Sequence, residues 1–350
     1  MKAANPISHK IPFLELNRQY LQIKAEVQEA IESVMERSAF ISGPFVEKFE
    51  KEFESYCDVK YAVAVNSGTS ALHLAMLALG VKQGDEVIVP ANSYIATAWG
   101  VSHAGATPVF VDCDPSTWNI DVKKIEGAIT AKTKAIIGVH LYGQPCDLDA
   151  LVALSKKHNL HFVEDAAQAH GAKYNGKRVG GMGEMGCFSF YPGKNLGAYG
   201  DSGAIITNNE SFAARMKMLR NQGSVMKYYH DEIGYNERMD GMQGAVLSVK
   251  LKYLDEWNTR RQAIARMYRA GITNAGVKMQ QPQQNAESVF HLFVITVDDR
   301  TAMMKHLNER NIFPGLHYPL PIHLQKAYAH LGYKKGDFPD AEFGDPVLAA

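Results

Sequence analysis

Short apolar runs alternate with longer, apolar-rich segments through the first two thirds of the chain. The short runs predict buried strands at residues 61–65, 86–90, 107–111, 135–141, 160–163 and 204–207. The longer segments predict helices at residues 70–79, 148–158, 238–251 and 257–270. Because strands and helices alternate with short connections, we expect an α/β fold with a mostly parallel sheet that is covered on both faces.

The pattern changes near residue 277. A strand predicted at 289–297, a helix at 301–310 and a Pro- and His-rich loop at 312–324 indicate a smaller α+β unit. We therefore predict a large α/β domain over residues 12–255 and a small C-terminal α+β domain over 256–350. Residues 338–350 are predicted to begin a helix without a cap, so the small domain is expected to be incomplete at its C-terminus.

One lysine and one aspartate stand at the ends of predicted strands. Lys194 follows an aromatic strand and a Pro-Gly turn in the segment CFSFYPGKNLG, and about thirty residues earlier Asp165 follows the strand at 160–163. Either residue alone is usually a solvated turn residue. Together they are what pyridoxal phosphate chemistry needs, because a lysine amine binds an aldehyde covalently and a carboxylate keeps a pyridine nitrogen protonated.

A candidate phosphate site lies in the loop NSGTS at residues 66–70, between a strand and a helix. Gly68 allows close approach of the backbone, and the free amides of the first helical turn attract an anion. Thr69 and Ser70 add hydroxyl groups or cap the helix. The alternative is an ordinary capped helix.

Other polar and aromatic residues have two interpretations each. Tyr94, just past a strand end, is either a platform for a flat cofactor or a core residue. Arg220 either binds an anionic substrate group or caps its helix. In the segment HYPLPIH, His317 and His323 have no third ligand nearby in sequence, so substrate contact or a structural role is favoured and no metal site is predicted.

A G-x-G-x-x-G pattern at residues 181–186 matches the dinucleotide-binding fingerprint in its letters only. That fingerprint follows a strand and opens a helix. Here a polar, hairpin-like stretch precedes the pattern and a strand follows it, so we do not expect a dinucleotide there.

Composition narrows the class of protein. The 350 residues include 37 Lys+Arg and 37 Asp+Glu, and this zero net charge argues against nucleic acid or an anionic membrane as partner. The four cysteines form no C-x-x-C pair, which suits a reducing compartment. Without a signal peptide or a long apolar run, a cytoplasmic protein is expected.

Six stretches together resemble the DegT/DnrJ/StrS-type nucleotide-sugar aminotransferases, which are fold-type-I pyridoxal phosphate enzymes. The stretches are PFL at 12–14, ISGP at 41–44, NSGTSAL at 66–72, EDAAQA at 164–169, FSFYPGKNLG at 188–197 and GYNERM at 234–239. The resemblance implies an aspartate-aminotransferase-like large domain with a seven-stranded sheet. The version FSFYPGKNLGA looks most like the branch that aminates C3 of dTDP-3-keto-6-deoxyhexoses.

The resemblance also implies a role for individual residues. Lys194 would hold the cofactor covalently, Asp165 would pair with its ring nitrogen, Gln168 would sit by its phenolic oxygen and Tyr94 would stack on its ring. The phosphate would be bound by Gly68, Thr69, Ser70 and Ser189, joined by Asn236 of a partner subunit. Candidate substrate contacts are Tyr191, Arg220, His317, Tyr318 and His323.

The implied activity is transfer of an amino group from an amino acid, glutamate by resemblance, to a nucleotide-linked keto-deoxysugar for polysaccharide or glycoconjugate biosynthesis. Pyridoxamine phosphate would carry the amine between half-reactions, and a homodimer would share its active sites. One alternative is a sugar dehydratase of the same fold, in which histidine replaces the lysine; Lys194 favours transamination. A non-catalytic sensor is the other.

Two departures from the family pattern stand out. Ser202 replaces a usual glycine in GDSG, so we expect backbone strain there. The family's usual C-terminal segment is missing after Ala350.

Overall fold

The predicted alternation of strands and helices is present in the computed structural model, which describes residues 9–342 and the backbone of residues 345–349. The α-helices of the described residues are α1 (Leu16–Glu36), α2 (Pro44–Cys57), α3 (Gly68–Ala78), α4 (Ala96–His103), α5 (Val122–Ile125), α6 (Leu148–His158), α7 (Glu210–Arg220), α8 (Gly241–Leu251), α9 (Leu254–Gly271) and α10 (Arg300–Asn308). The strands are β1 (Tyr61–Val65), β2 (Glu86–Pro90), β3 (Thr107–Val111), β4 (Thr133–Val139), β5 (His161–Asp165), β6 (Lys173–Tyr174), β7 (Lys177–Arg178), β8 (Met185–Ser189), β9 (Gly203–Thr207), β10 (Lys278–Met279), β11 (Ala286–Glu287), β12 (Phe293–Val297) and β13 (Asp345–Ala349).

A seven-stranded sheet in the order β1-β9-β8-β5-β4-β2-β3 forms the centre of the large α/β part. All neighbouring strands are parallel except β9, which runs antiparallel to both β1 and β8. The mostly parallel, seven-stranded sheet is therefore confirmed. β1 and β9 are buried along almost their whole length, as expected for strands that helices cover on both faces.

Successive residues of a strand pack into two hydrophobic cores, one on each face of the sheet. In β1, Ala62 and Ala64 pack on one face with Phe49 and Phe53 of α2. Val63 and Val65 of the same strand pack on the opposite face, against α3 and α4. The short apolar strands thus hold the two helical layers at fixed positions on the sheet.

The parallel register brings three loops to one edge of the sheet. Asp165 at the end of β5 is paired with Cys187 of β8, and Ser189 ends that strand two residues later. Ser189 is paired with Gly203 of β9, which in turn is paired with Val65 at the end of β1. The loops after β1, β5 and β8 therefore meet.

The glycine pattern at 181–186 is a turn that binds a carboxylate of the protein itself. The β6–β7 hairpin precedes it and β8 follows it, as predicted. The amides of Gly180, Met182 and Gly183 donate to the buried carboxylate of Glu164 over 2.6–2.8 Å. The glycines are thus part of a turn whose amides bind Glu164.

A second, three-stranded sheet, β10-β12-β13, lies beyond α9. The prediction that a helix begins within residues 338–350 is wrong for residues 345–349. These residues form β13, which pairs antiparallel with β12 and satisfies the backbone groups of that strand. Residues 343, 344 and 350 lie outside the described residues. The division into 12–255 and 256–350 stays a prediction; α9 begins at Leu254, beside that boundary.

The strand predicted at 289–297 is shorter than expected, because only Phe293–Val297 is a strand. The preceding residues are held by a loop instead: the amide of Val289 donates to the carbonyl of Gly143, and that of Leu292 to the carbonyl of Tyr142. Residues 289–292 thereby lie against the loop after β4.

Candidate active site

A cavity of about 580 Å³ opens where the loops after β1, β5 and β8 meet. Its other walls come from α9, from residues 290–293 and from the loop at 317–318. The structure brings most predicted site residues together around it: Gly68, Thr69, Tyr94, Asp165, Gln168, Ser189, Tyr191, Lys194, His317 and Tyr318.

Asp165 is buried at the base of the cavity, with 5% of its surface exposed. One carboxylate oxygen accepts a hydrogen bond from the Thr97 hydroxyl at 2.8 Å, and the other accepts one from the Ala167 amide at 3.2 Å. Burial raises the pKa of Asp165 above its usual value, while these two donors and the charge of Lys194 act in the opposite direction. The donors thus favour the ionised carboxylate in a desolvated position.

Lys194 lies in a tight backbone turn that has no space for a side chain at Gly197. Its amide donates to the carbonyl of Tyr191 at 2.8 Å. At Gly197 a Cβ would lie 2.3 Å from the carbonyl oxygen of Pro192, so a side chain there would open the turn. Burial lowers the pKa of Lys194 to about 8, against the opposing effect of Asp165. A much larger fraction of neutral amine is therefore present at pH 7–8 than for an ordinary lysine.

The loop after β1 has the geometry of an anion cradle. Ser67 caps α3 by accepting a hydrogen bond from the Ser70 amide at 3.0 Å, so the amides of Gly68 and Thr69 begin the helix without intrahelical acceptors. A Cβ at Gly68 would lie 2.6 Å from the Cβ of Ser189, which shows how closely this loop approaches the end of β8.

Gln168 is fixed between two neighbours on the opposite wall. Its carbonyl oxygen accepts from the Tyr142 amide at 2.6 Å, and its amide group donates to the Tyr318 hydroxyl at 2.9 Å. The Tyr318 ring lies 5.7 Å from the ring of Tyr94, which is half exposed. These aromatic rings line the mouth of a slot that suits a flat cofactor.

The residues fit pyridoxal phosphate in three respects. The cradle at Gly68, Thr69 and Ser189 suits a phosphate, and Asp165 suits a protonated ring nitrogen. Lys194 suits a covalent bond to an aldehyde carbon because burial lowers its pKa. No group of three or more metal-ligating His, Cys, Asp or Glu side chains occurs within residues 9–342.

Four candidate residues lie elsewhere. Arg220 binds Glu50 at 2.6 Å and the Ala64 carbonyl, so the structure gives it a buried ion pair and not a place in the cavity. The buried ring of His323 faces Glu342 at 3.0 Å. Ser70 donates its hydroxyl to Asn66 at 2.6 Å. Asn236 lines a separate surface cavity next to the Asn66–Ser67 loop and accepts a hydrogen bond from Arg238.

Ser202 does not adopt the strained backbone that its replacement of glycine led us to expect. Its φ is outside the left-handed region. The side chain is 1% exposed, and its carbonyl accepts the Phe190 amide at 2.7 Å. The turn therefore accepts serine without a left-handed residue.

Sequence analysis missed Thr97, Arg261 and His291. Thr97 lies in the first turn of α4 and is itself bonded to Ser93 at 2.8 Å. Arg261 and His291 line the cavity from α9 and from the segment before β12. None of the three stands in a motif: packing between distant segments brings Arg261 and His291 to the cavity and Thr97 to the Asp165 carboxylate beneath it.

No helix among the described residues is long and apolar enough to cross a bilayer. This finding concerns only the helices of the part of the chain that the structure describes.

Comparison with known proteins gives a consistent result. Residues 21–343 match the profile of the DegT/DnrJ/EryC1/StrS aminotransferase family. A dTDP-3-amino-3,4,6-trideoxy-alpha-D-glucose transaminase from Streptomyces venezuelae is 46% identical over 342 residues, covering 97% of this chain and 90% of the relative.

Two solved structures are similar over almost the whole chain. The crystal structure of S. venezuelae DesV in complex with a ketimine intermediate has a TM-score of 0.95 and 46% identity, covering 98% of this chain and 93% of the other. The crystal structure of NtdA from Bacillus subtilis with bound cofactor PMP has a TM-score of 0.90 and 33% identity, covering 99% of this chain and 81% of the other.

Proposed function

Because the chain belongs to the DegT/DnrJ/EryC1/StrS aminotransferase family, we propose a specific reaction for this pyridoxal-phosphate-dependent nucleotide-sugar aminotransferase. The enzyme transfers the amino group of an amino acid, glutamate, to C3 of a dTDP-linked 3-keto-6-deoxyhexose, for polysaccharide or glycoconjugate biosynthesis. The observation that carries the reaction class is the lysine with a lowered pKa beside a buried carboxylate in one cavity. The relative that makes a dTDP-3-amino sugar supports the position of amination.

Lys194 acts in two ways in this proposal. Its neutral amine would hold the cofactor covalently at the aldehyde carbon, because only the unprotonated amine is a nucleophile. When it is not bound to the cofactor, the same amine would take the proton from the α-carbon of the donor as a general base. A pKa of about 8 suits both steps, since proton transfer is most efficient when the pKa lies near the working pH.

Asp165 holds a proton on the ring nitrogen by placing a fixed negative charge beside it. When bound, pyridoxal phosphate supplies an electron-accepting ring and a carbon that takes up and returns the amino group. Gln168 and Tyr94 orient the ring, and Gly68, Thr69 and Ser189 bind the phosphate. Tyr191, His317 and Tyr318, which line the same cavity, contact the substrates.

The enzyme acts as a homodimer in the cytoplasm, with Asn236 of each subunit completing the phosphate site of the other. Two observations support the shared site. Asn236 does not line the cavity of its own subunit; it lines an adjoining surface cavity that shares Ser67 and Asp201 with the first. The loop beside it exposes apolar side chains that a partner would cover, including Val225 at 78%, Tyr228 at 80% and Ile233 at 91%.

The test of the reaction is a panel of nucleotide keto-sugars assayed with purified enzyme. We expect the absorbance band of the bound cofactor to bleach on addition of glutamate and to return on addition of a dTDP-3-keto-6-deoxyhexose. Lys194→Ala should abolish turnover, whereas Lys157→Ala, at an exposed ion pair with Glu126, should not. A 4-keto-sugar as the preferred substrate would refute the proposed position. A dehydrated, unaminated product would refute transamination.

A further inference from the structure

Arg261 is a cation in a mostly apolar wall of the cavity. It lies on α9, and apart from His291 the other lining residues of α9 and of residues 290–292 are apolar or aromatic: Ile264, Ala265, Tyr268, Phe290 and Leu292. Burial lowers the pKa of Arg261, and no described carboxylate forms an ion pair with it. Arg261 is partly buried, and a partly desolvated guanidinium without an anionic partner is costly.

Within the described residues, the Arg261 guanidinium forms hydrogen bonds through one nitrogen, Nη1. Its Nη1 donates to the carbonyl oxygens of Phe290 at 3.3 Å and His291 at 3.1 Å. Nε and Nη2 have no partner among the described residues and are not enclosed by protein. These two nitrogens form the edge of the guanidinium that binds a carboxylate or phosphate with two parallel hydrogen bonds.

The other titratable side chains that line the cavity have a role in the proposed function, are exposed or are neutral. In the proposed function, Asp165 faces the ring nitrogen and Lys194 is used at the reacting carbon, and Asp201 is exposed at the rim. The His291 side chain stays neutral, because burial and then the charges of Lys194 and Arg261 lower its pKa well below the usual value. Arg261 therefore remains the uncompensated charge of the cavity wall.

We propose that Arg261 binds an oxyanion of a substrate through its Nε–Nη2 edge, and so determines which substrate the cavity accepts. This inference rests on the proposed function, in which both substrates carry such a group: a carboxylate on the amino donor and a diphosphate on the nucleotide-sugar. The shared chemistry is a planar pair of acceptor oxygens. The backbone carbonyls at residues 290 and 291 preorganise the arginine for it.

Arg269 offers a matched control on the same helix. It is also a partly buried arginine that donates to a backbone carbonyl, that of Gln280, and burial lowers its pKa too. Its guanidinium lies near the rings of Phe290 and Phe293, but it does not line the cavity. Loss of Arg269 thus reports the structural contribution of a buried arginine on α9 without removal of the proposed binding edge.

The experiment measures ligand binding by calorimetry with the holoenzyme. The probes are 2-oxoglutarate and thymidine diphosphate, both titrated into the pyridoxal form, in which neither probe has an amine to transfer. Arg261→Gln should weaken one of the two by about 10- to 100-fold, the range expected for loss of a charge-assisted pair of hydrogen bonds. Arg269→Gln should leave both within about twofold. The probe that is weakened identifies the oxyanion.

Arg261→Lys keeps the charge and removes the paired edge, so we expect it to bind the affected probe with intermediate affinity. This variant also serves if Arg261→Gln does not fold. Unchanged binding of both probes to folded Arg261 variants would overturn the proposal, as would an equal loss in Arg269→Gln. Inactivity of the wild-type enzyme with every keto-sugar would instead refute the proposed function, while these binding constants could still be read.

Discussion

Two lysines near the active site, the partly buried Lys194 and the buried Lys250, differ in the surroundings of their ammonium groups. Lys250 of α8 is 1% exposed and donates to the carbonyl of Gly197, in the turn that carries Lys194. Its ammonium also lies 5.1 Å from the ring of Tyr199. Lys194 has no such acceptor among the described residues. Burial lowers both pKa values to about 8, but only Lys194 faces the cavity.

Lys250 should make the stability of the enzyme depend on pH. Because its pKa is about 8 in the folded state and near 10.5 when unfolded, the unfolded chain holds the proton more tightly. The cost of burying the charge is complete below pH 8 and is relieved as the pH rises towards 10.5. Wild-type stability relative to Lys250→Met should therefore increase over this range, by up to about 3 kcal/mol. Urea unfolding at pH 7.5 and 9.5 measures it, and an unchanged difference would contradict the buried charge.

Thr97 is expected to set the acid limit of activity. Thr97→Val keeps the shape of the side chain but removes the hydroxyl that donates to Asp165, so the pKa of that carboxyl should rise further above its usual value. Because the ionised carboxylate is the active form, loss of kcat/KM on the acid side should begin at a higher pH. Thr130→Val removes a similar hydroxyl bond to the exposed Glu86 and should leave the pH profile unchanged.

At the scale of elements, the site depends on how closely α3 approaches β8. The helix begins at Gly68 because Ser67 caps it, and a side chain at Gly68 would meet Ser189 of the neighbouring strand. The same contact places the first-turn amides of α3 beside the end of β8. The anion cradle is therefore a consequence of one close contact between a helix and a strand.

Gly68→Ala should weaken cofactor binding more than it weakens the fold. The added Cβ would lie 2.6 Å from that of Ser189, so α3 must move away from β8 and the cradle must widen. We expect the dissociation constant for pyridoxal phosphate to rise by at least about tenfold, or 1.4 kcal/mol. Gly127→Ala, where a Cβ meets nothing within 4 Å, should leave affinity unchanged. Equal affinity in both variants, measured by fluorescence titration, would argue against the cradle.

At the scale of the whole molecule, the proposed shared site makes the active site a property of two subunits. Lys194 and Asp165 line one cavity, whereas Asn236 of the same chain lines an adjoining one. A monomer would then contain every residue of the site but could not assemble it. Activity should accordingly fall on dilution below the dimer dissociation constant.

Mixed subunits test this arrangement directly. Lys194→Ala and Asn236→Asp chains should each be inactive, but a heterodimer has one site in which Lys194 and Asn236 are both intact. Some activity should therefore return after subunit exchange. Lys194→Ala mixed with a double variant carrying both substitutions should stay inactive, because no intact site can form. Absence of rescue despite proven exchange, or full activity in a monomer, would refute the shared site.

Much of the fold follows from the sequence because it depends on local pattern. The bounds of β1, β2, β3 and α6 agree with the prediction, since short apolar runs between turn signals have few alternatives. Lys194 and Asp165 were also recognisable as candidates, because Asp165 ends β5, Lys194 follows the turn after β8, and parallel strands end at one edge of a sheet. The cofactor follows from that pair and from the glycine loop after β1.

Tertiary structure decided what depends on contacts between distant segments. Arg220 and His323 look like ligands of a substrate in sequence, but Glu50 and Glu342 pair with them in the folded chain. Thr97 of α4 reaches Asp165, and Arg261 of α9 reaches the cavity, without any sequence signal, since their partners lie 68 and about 30 residues away.

The last strand shows the same division. Residues 345–349 carry no pattern that distinguishes a strand from the start of a helix. Pairing with β12 fixes them as β13, because the edge of that strand supplies backbone partners that the local sequence cannot. Sequence by itself thus determined the sheet and the cofactor, and it predicted Lys194 and Asp165 as the two central residues of the site. The folded chain alone decided which other side chains surround them, since only packing brings distant polar groups within bonding distance.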